Sequence, residues 1–406
     1  MIAAAAGAVL LALLVAVELG QVPVRLPFPP GVEYDYMAEP PPGTLPLTWD
    51  AGFRVEDDSL PNNTKYILQD QIAGVETVAL GPEGWLGLVD KHGQIFMAEP
   101  DNQGGYAVTP HPLPWASPGR SLGAKFDANG DLLIANAPLG LLQLASPGDA
   151  QSQRLLLLTG RVSDESPLSA GYPIEFANSL DVAADGTVYF TSSTDVVPYR
   201  TASGYWETSD SVFVSLAKAQ PSGMLLAYHP DNRSTIALMN DLWFANGVAL
   251  AHDESFVLVA DSVQMKIRRY WLHGPKAGSS DVFYDKLPGP PDGISRSTDG
   301  QTYWITIYCG AEKLLAYSHI RLVRVLFSWM PRIMRLLGQD FPNIGILLRV
   351  NNKGEIVEVL GDKQGAVVSR VTSAFESEDG RLFLGSLHKR GVPVVDLKGA
   401  RAAKST

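Results

Sequence analysis

Short stretches of alternating or aromatic-rich apolar residues recur along the chain, each folded about a tight acidic or Asn-Gly turn. They read TVALGPEGWLGL (77–88), KFDANGDLLIA (125–135), LDVAADGTVYFTS (180–192), VALAHDESFVLVA (248–260), ISRSTDGQTYWIT (294–306) and SAFESEDGRLFLG (373–385). Period-two alternation on both sides of a turn predicts an antiparallel hairpin, and helical periodicity is absent from these segments. With Gly84, Gly130, Gly186, Glu254, Gly300 and Gly380 as turn markers, the spacings are 46, 56, 68, 46 and 80 residues. Four-stranded propeller blades repeat at about 40 to 50 residues, so six markers predict an all-β, six-bladed propeller with insertions in the longer intervals.

The same markers expose a second regularity. Eight residues before Gly84, Gly186, Glu254 and Gly300 stand Glu76, Asn178, Asn246 and Asp292, whereas Leu122 and Thr372 occupy that place in the other two repeats. An equal offset in a repeat is an equal place in the blade, and the entries of inner strands crowd around the central channel. Two carboxylates and two amide carbonyls are hard oxygen donors, suited to Ca²⁺, with Mg²⁺ or another hard divalent cation as the alternative. The bland reading of the pattern is that Asp, Asn and Glu simply suit strand ends.

The longest interval holds the segment KLLAYSHIRLVRVLFSWMPRIMRLLGQD (313–340), in which apolar residues alternate with Arg321, Arg324, Arg332 and Arg335. Pro331 interrupts it, which predicts two short helices. Such a segment either caps the open end of the propeller or lies, through its basic stretch 319–337, on an anionic membrane surface. Another insertion, PYRTASGYWETSD, brings Tyr199, Tyr205 and Trp206 to a loop that can wall the channel mouth and contact substrate.

Residues 1–17, MIAAAAGAVLLALLVAV, are unbroken apolar, at the lower limit for spanning a bilayer. The region 1–20 therefore reads as a membrane anchor or, if cleaved, as a signal segment of an exported protein. Residues 21–46 are a proline-rich linker, and the propeller is expected over 47–400. A net charge of -11 excludes nucleic acid as a natural partner. With Cys309 as the single cysteine there is no intrachain disulfide and no cysteine-based zinc site.

The strings FANSLDVAADGTVYFTSST (176–194), FANGVALAHDESFVLVADSVQMKIRRYWLHGPKAG (244–278), LPGPPDGISRSTDG (287–300) and SAFESEDGRLFLGSL (373–387) resemble the strictosidine-synthase-like proteins. That group includes the adipocyte plasma membrane-associated proteins and is more distantly similar to paraoxonases and gluconolactonases. The resemblance runs from about Leu47 to Val395. It implies a six-bladed propeller with a channel metal, usually calcium, and the matching ligand positions are again Glu76, Asn178, Asn246 and Asp292. Gly293 stands where many relatives carry an asparagine after the aspartate. Ser373, here a substrate-facing candidate, stands where strictosidine synthase carries its catalytic glutamate, and a serine cannot take over a carboxylate's proton transfer. Ala137 replaces a paraoxonase histidine. Alkaloid condensation is thus not expected. The expected activity is calcium-dependent hydrolysis of a small-molecule ester or lactone, with Asp292 or Glu76 as the available catalytic carboxylate. The alternative is a non-catalytic, membrane-anchored propeller that keeps calcium for structure and uses its surface for partners.

Overall fold

The computed structural model describes residues 57–402 apart from 103, 110–118, 150–151, 311–316 and 338–342, together with positions 12, 14–16, 40–42 and 44. The expected amino-terminal helix and linker lie almost wholly outside the described residues, although positions 12 and 14–16 are helical. Among the described residues no helix is long and apolar enough to cross a membrane.

Six four-stranded antiparallel sheets form the body. Their innermost strands are Val78–Leu80, Arg120–Phe126, Ala177–Val182, Ala245–Leu250, Pro291–Arg296 and Ser373–Glu376. Each packs against the next and the first packs against the last, which closes a ring about a central channel. The turn between the first and second strand of every blade is the one marked in the sequence. All six markers take positive φ, 57° at Glu254 and 70° to 86° at the five glycines, the left-handed conformation that such turns need.

The ring is closed by chain ends. Thr64–Ile67 pairs with Val392–Asp396, register Thr64 to Val395, so the last blade takes its outermost strand from the start of the domain. Blades are covered on both faces by their neighbours, so strands such as Leu132–Ala137, Phe256–Asp261 and Thr302–Ile307 are buried along their whole length. Six apolar clusters fill the gaps between successive blades, as where Leu258, Ile305 and Leu348 meet. A seventh, with Leu122, Phe176, Leu216, Phe244 and Phe327, lies at one end of the channel.

That end, where all six inner strands begin, is the mouth of the channel. Both long insertions leave the second strand of a blade and return to its third, so both fall on the mouth face. In blade 3 the insertion carries a small ribbon, Tyr199–Arg200 with Trp206–Glu207, and helix α1, Ser209–Lys218. In blade 5 it carries helix α2, Arg321–Leu337. The expected pair of short helices is in fact this single helix with Pro331 inside it. The proline costs one backbone donor, and the helix is held by its packing on α1 and the mouth cluster instead.

Candidate active site

The four residues picked out by the offset meet at the floor of the mouth. Glu76, Asn178, Asn246 and Asp292 are 4% to 8% exposed and line one cavity of about 640 Å³. Local backbone irregularity aims three of them. The register with the second strand slips between Ala177 and Leu180, between Ala245 and Val248, and between Pro291 and Ile294. Each bulge holds a ligand candidate and the residue after it, and a bulge turns a side chain that would otherwise face the blade into the channel. Such crowding accounts for Gly293, where a Cβ would stand 2.4 Å from the Thr372 carbonyl oxygen of the next blade. The asparagine of many relatives does not fit here without a shift of backbone.

Electrostatically the floor is incomplete. Burial pushes the Glu76 carboxyl up to about 7, opposed by the Arg120 guanidinium. Asp292 is raised by burial and then by the charge of Glu76, against one hydrogen bond from the Asn246 side chain. Glu76 Oε2 is buried with no hydrogen-bond partner. Asn178 Nδ2 donates to Ser193 Oγ at 2.9 Å, which leaves its carbonyl oxygen as the acceptor end. No three His, Cys, Asp or Glu side chains come together at metal distance among the described residues. The set of two carboxylates and two amides fits a hard, oxygen-seeking divalent cation, because one carboxylate oxygen is orphaned and the two acids repel each other with Arg120 opposing Glu76 alone.

The opposite end of the channel is plugged. Asp181 of blade 3 pairs with Lys125 of blade 2 and, at 3.2 Å, with Arg296 of blade 5, and accepts from Leu250 N of blade 4 at 2.8 Å. Despite burial, these partners hold its carboxyl below the usual aspartate range. The cavity floor is thus open only toward the mouth among the described residues.

The mouth walls are largely apolar. Leu122, Phe176, Phe244 and Val263 come from the blades, Val212, Phe213 and Leu216 from α1, and Phe327, Pro331 and Met334 from α2. Asp210 ties the insertions together by accepting from Tyr199 Oη at 2.7 Å and pairing with Arg332 at 3.7 Å. Of the residues expected to touch substrate, Tyr205 is on the cavity wall, with Arg120 over its ring at 5.9 Å. Trp206 sits in the ribbon opposite Arg200 and does not line the cavity. Ser373 lies deeper, its hydroxyl donating to the Glu76 carbonyl oxygen at 2.7 Å, and Thr372 donates to the same atom.

Among the polar wall residues that were not anticipated are Lys91, His92, Tyr308 and His388. The Tyr308 hydroxyl and His388 Nε2 share a hydrogen bond of 2.9 Å. A signal for them exists in the sequence, since the offset works in both directions. Eight residues after Gly84, Glu254, Gly300 and Gly380 stand His92, Ser262, Tyr308 and His388, all on the cavity wall. The first strand of a hairpin starts at the mouth and the second returns to it, so equal steps on either side of the turn reach the same rim.

Comparison with known proteins places this architecture. The strictosidine synthase family profile matches residues 178–275. Strictosidine synthase-like protein 3 of Arabidopsis thaliana is 29% identical over 88% of this chain and 90% of its own length. Strictosidine synthase-like protein 9 of the same plant is 30% identical over 80% of this chain and 86% of its own. The adipocyte plasma membrane-associated protein of Mus musculus is 33% identical over 66% of this chain and 61% of its own. Among solved structures, a gluconolactonase from Xanthomonas campestris superposes with a TM-score of 0.54 at 18% identity, covering 83% of this chain and 91% of that one. A luciferin-regenerating enzyme gives 0.52 at 11%, covering 82% and 94%. These two likenesses are of fold.

Proposed function

The chain belongs to the strictosidine synthase-like family, and on that premise we propose that it is a hydrolase of small apolar esters or lactones that depends on a divalent cation, calcium first. One observation carries the reading: two buried acids, Glu76 and Asp292, stand together at the floor of an apolar cavity, with one Glu76 carboxylate oxygen unpartnered and Arg120 opposing the charge of Glu76 alone. Glu76, Asn178, Asn246 and Asp292 would hold the cation. When bound it would supply a Lewis acid for a substrate carbonyl.

The chain's own residues account for the rest. The aromatic and aliphatic walls take up the acyl or lactone chain and exclude water from the floor. Tyr308 and His388, already hydrogen-bonded to each other on the rim, are the groups placed to move a proton between water and the leaving oxygen. Engagement of Glu76 and Asp292 with a cation leaves them poor bases, so the proton-transfer role assigned to them from sequence passes to the rim pair. Serine at position 373, its hydroxyl engaged by the Glu76 backbone, supports the exclusion of amine-aldehyde condensation.

Purified protein assayed on aryl acetates and a lactone panel should show turnover that a chelator abolishes and added calcium restores. Tyr308→Phe and His388→Gln should each lower kcat on the order of 10²-fold with cation affinity unchanged. An absence of turnover combined with a large chelator-induced fall in Tm would instead establish a purely structural cation.

A further inference from the structure

Helix α2 has a face that the channel does not use. Phe327, Pro331 and Met334 look into the cavity, and Arg324 Nη1 donates to the carbonyl oxygens of Ser318 and His319, both at 3.0 Å. Leu326, Trp329, Ile333, Leu336 and Leu337 recur at steps of three and four, which makes a single stripe. They are 53%, 37%, 43%, 87% and 67% exposed, and supply five of the thirteen large apolar side chains exposed among the described residues. One helix thus gathers apolar surface that elsewhere is scattered.

Two independent observations say what covers it. The first is charge: residues 313–339 contain five Lys or Arg, of which Arg324 is turned inward and Arg332 is paired with Asp210, and no Asp or Glu, in a chain whose net charge is -11. An apolar stripe with an interfacial tryptophan in a basic segment matches an anionic lipid surface. The second is the path of the amino-terminal segment. Gln264 Nε2 donates to the Thr44 carbonyl oxygen at 3.3 Å, and Gln264 lies in the loop joining the second and third strands of blade 4, on the mouth face. The chain leading from the apolar stretch 1–17 therefore meets the body on the same side as the stripe.

We propose that the mouth face docks on an anionic membrane surface, with the Leu326, Trp329, Ile333, Leu336 and Leu337 stripe inserted at the boundary of headgroups and acyl chains. The channel then opens onto lipid. This holds whatever reaction the channel performs. A second copy is the weaker occupant, since pairing two such helices brings two basic segments together.

The test uses the full chain with vesicles of phosphatidylcholine, with and without phosphatidylglycerol, carrying bromine-labelled acyl chains. Trp329 fluorescence, taken as the difference between the native chain and Trp329→Phe, should be quenched on anionic vesicles and less so at high salt. The double variant Ile333→Glu, Leu337→Glu should keep its Tm, lose that quenching and bind anionic vesicles on the order of tenfold more weakly or worse. Co-sedimentation with Trp329 unquenched would overturn the proposal, since residues 1–17 alone would then be the attachment. So would a lipid-independent dimer that the double variant dissociates.

Discussion

Asp181 at the closed end of the channel and Asp292 at its mouth both project from innermost strands, and they are 3% and 7% exposed. Their surroundings differ in one respect. Asp181 is met by Lys125 and Arg296, its carboxyl is held low, and four blades are tied together through it. Asp292 is met by a second acid, Glu76, and both carboxyls are pushed up. The fold pairs Asp181 with two cations of its own where it needs only closure, and at the cavity floor sets Asp292 beside a second acid, with Arg120 opposing Glu76 alone. The cost of these adjoining acids is carried by the remainder of the ring, which is apolar and closed.

Four changes would break or sharpen that contrast. Asp181→Ala should be the most damaging, destabilising the protein by about 3 to 5 kcal/mol, because two cations are left facing each other without their anion. Denaturant unfolding with and without calcium should show that the cation does not rescue it. Equal stability to the native chain would mean the plug is ornamental.

The pH dependence comes next. Glu76 has a raised folded-state value, about 7 against an ordinary 4.5. The unfolded chain releases this proton first, so the cation-free protein should lose stability as pH rises from about 4.5 to about 7, by roughly 3 kcal/mol at one pKa unit per 1.4 kcal/mol. Asp181 acts oppositely: its lowered value stabilises above the ordinary aspartate range and is lost as pH falls through its folded-state value. Saturating calcium should flatten the upper limb. Glu76→Gln should remove only its own share, leaving the parts due to Asp261, which burial raises to about 7, and to Asp292, which burial raises well above the ordinary aspartate range. A limb that survives in Glu76→Gln unchanged would assign the effect elsewhere.

Asp292→Asn should carry the opposite sign to Asp181→Ala. Removal of a buried, uncompensated acid should leave the cation-free protein unchanged or more stable by about 1 kcal/mol at neutral pH, while calorimetric calcium binding disappears. Smallest of all, Lys125→Ala should cost about 1 kcal/mol, since Lys125 is a quarter exposed and Arg296 still faces Asp181.

The features legible in the sequence were those that repeat locally. The hairpins around Gly130, Gly186 and Gly300 were readable because turn chemistry and period-two alternation act within a dozen residues. Glu254 was recognisable by register although it is not a glycine, and its carboxylate accepts from Ala184 N of the preceding blade at 2.8 Å. The floor residues were legible because a repeated offset maps to a repeated place. Tyr308 and His388 were missed although the same offset reaches them, because residues after a strand's end read as ordinary loop. Helix α2 reads as two in sequence because Pro331 is a strong local signal, and the packing that overrides it comes from α1, about a hundred residues away.

By itself, then, the sequence determined the blades, their number, and the four oxygen-bearing side chains at the mouth, since each follows from short-range periodicity repeated six times. Only the tertiary structure decided the closure of Thr64–Ile67 onto Val392–Asp396, the Lys125–Asp181–Arg296 plug and the division of α2 into a cavity face and an exposed face. Each of these joins residues from separate blades or insertions, and no local pattern records a contact whose partner lies across the ring.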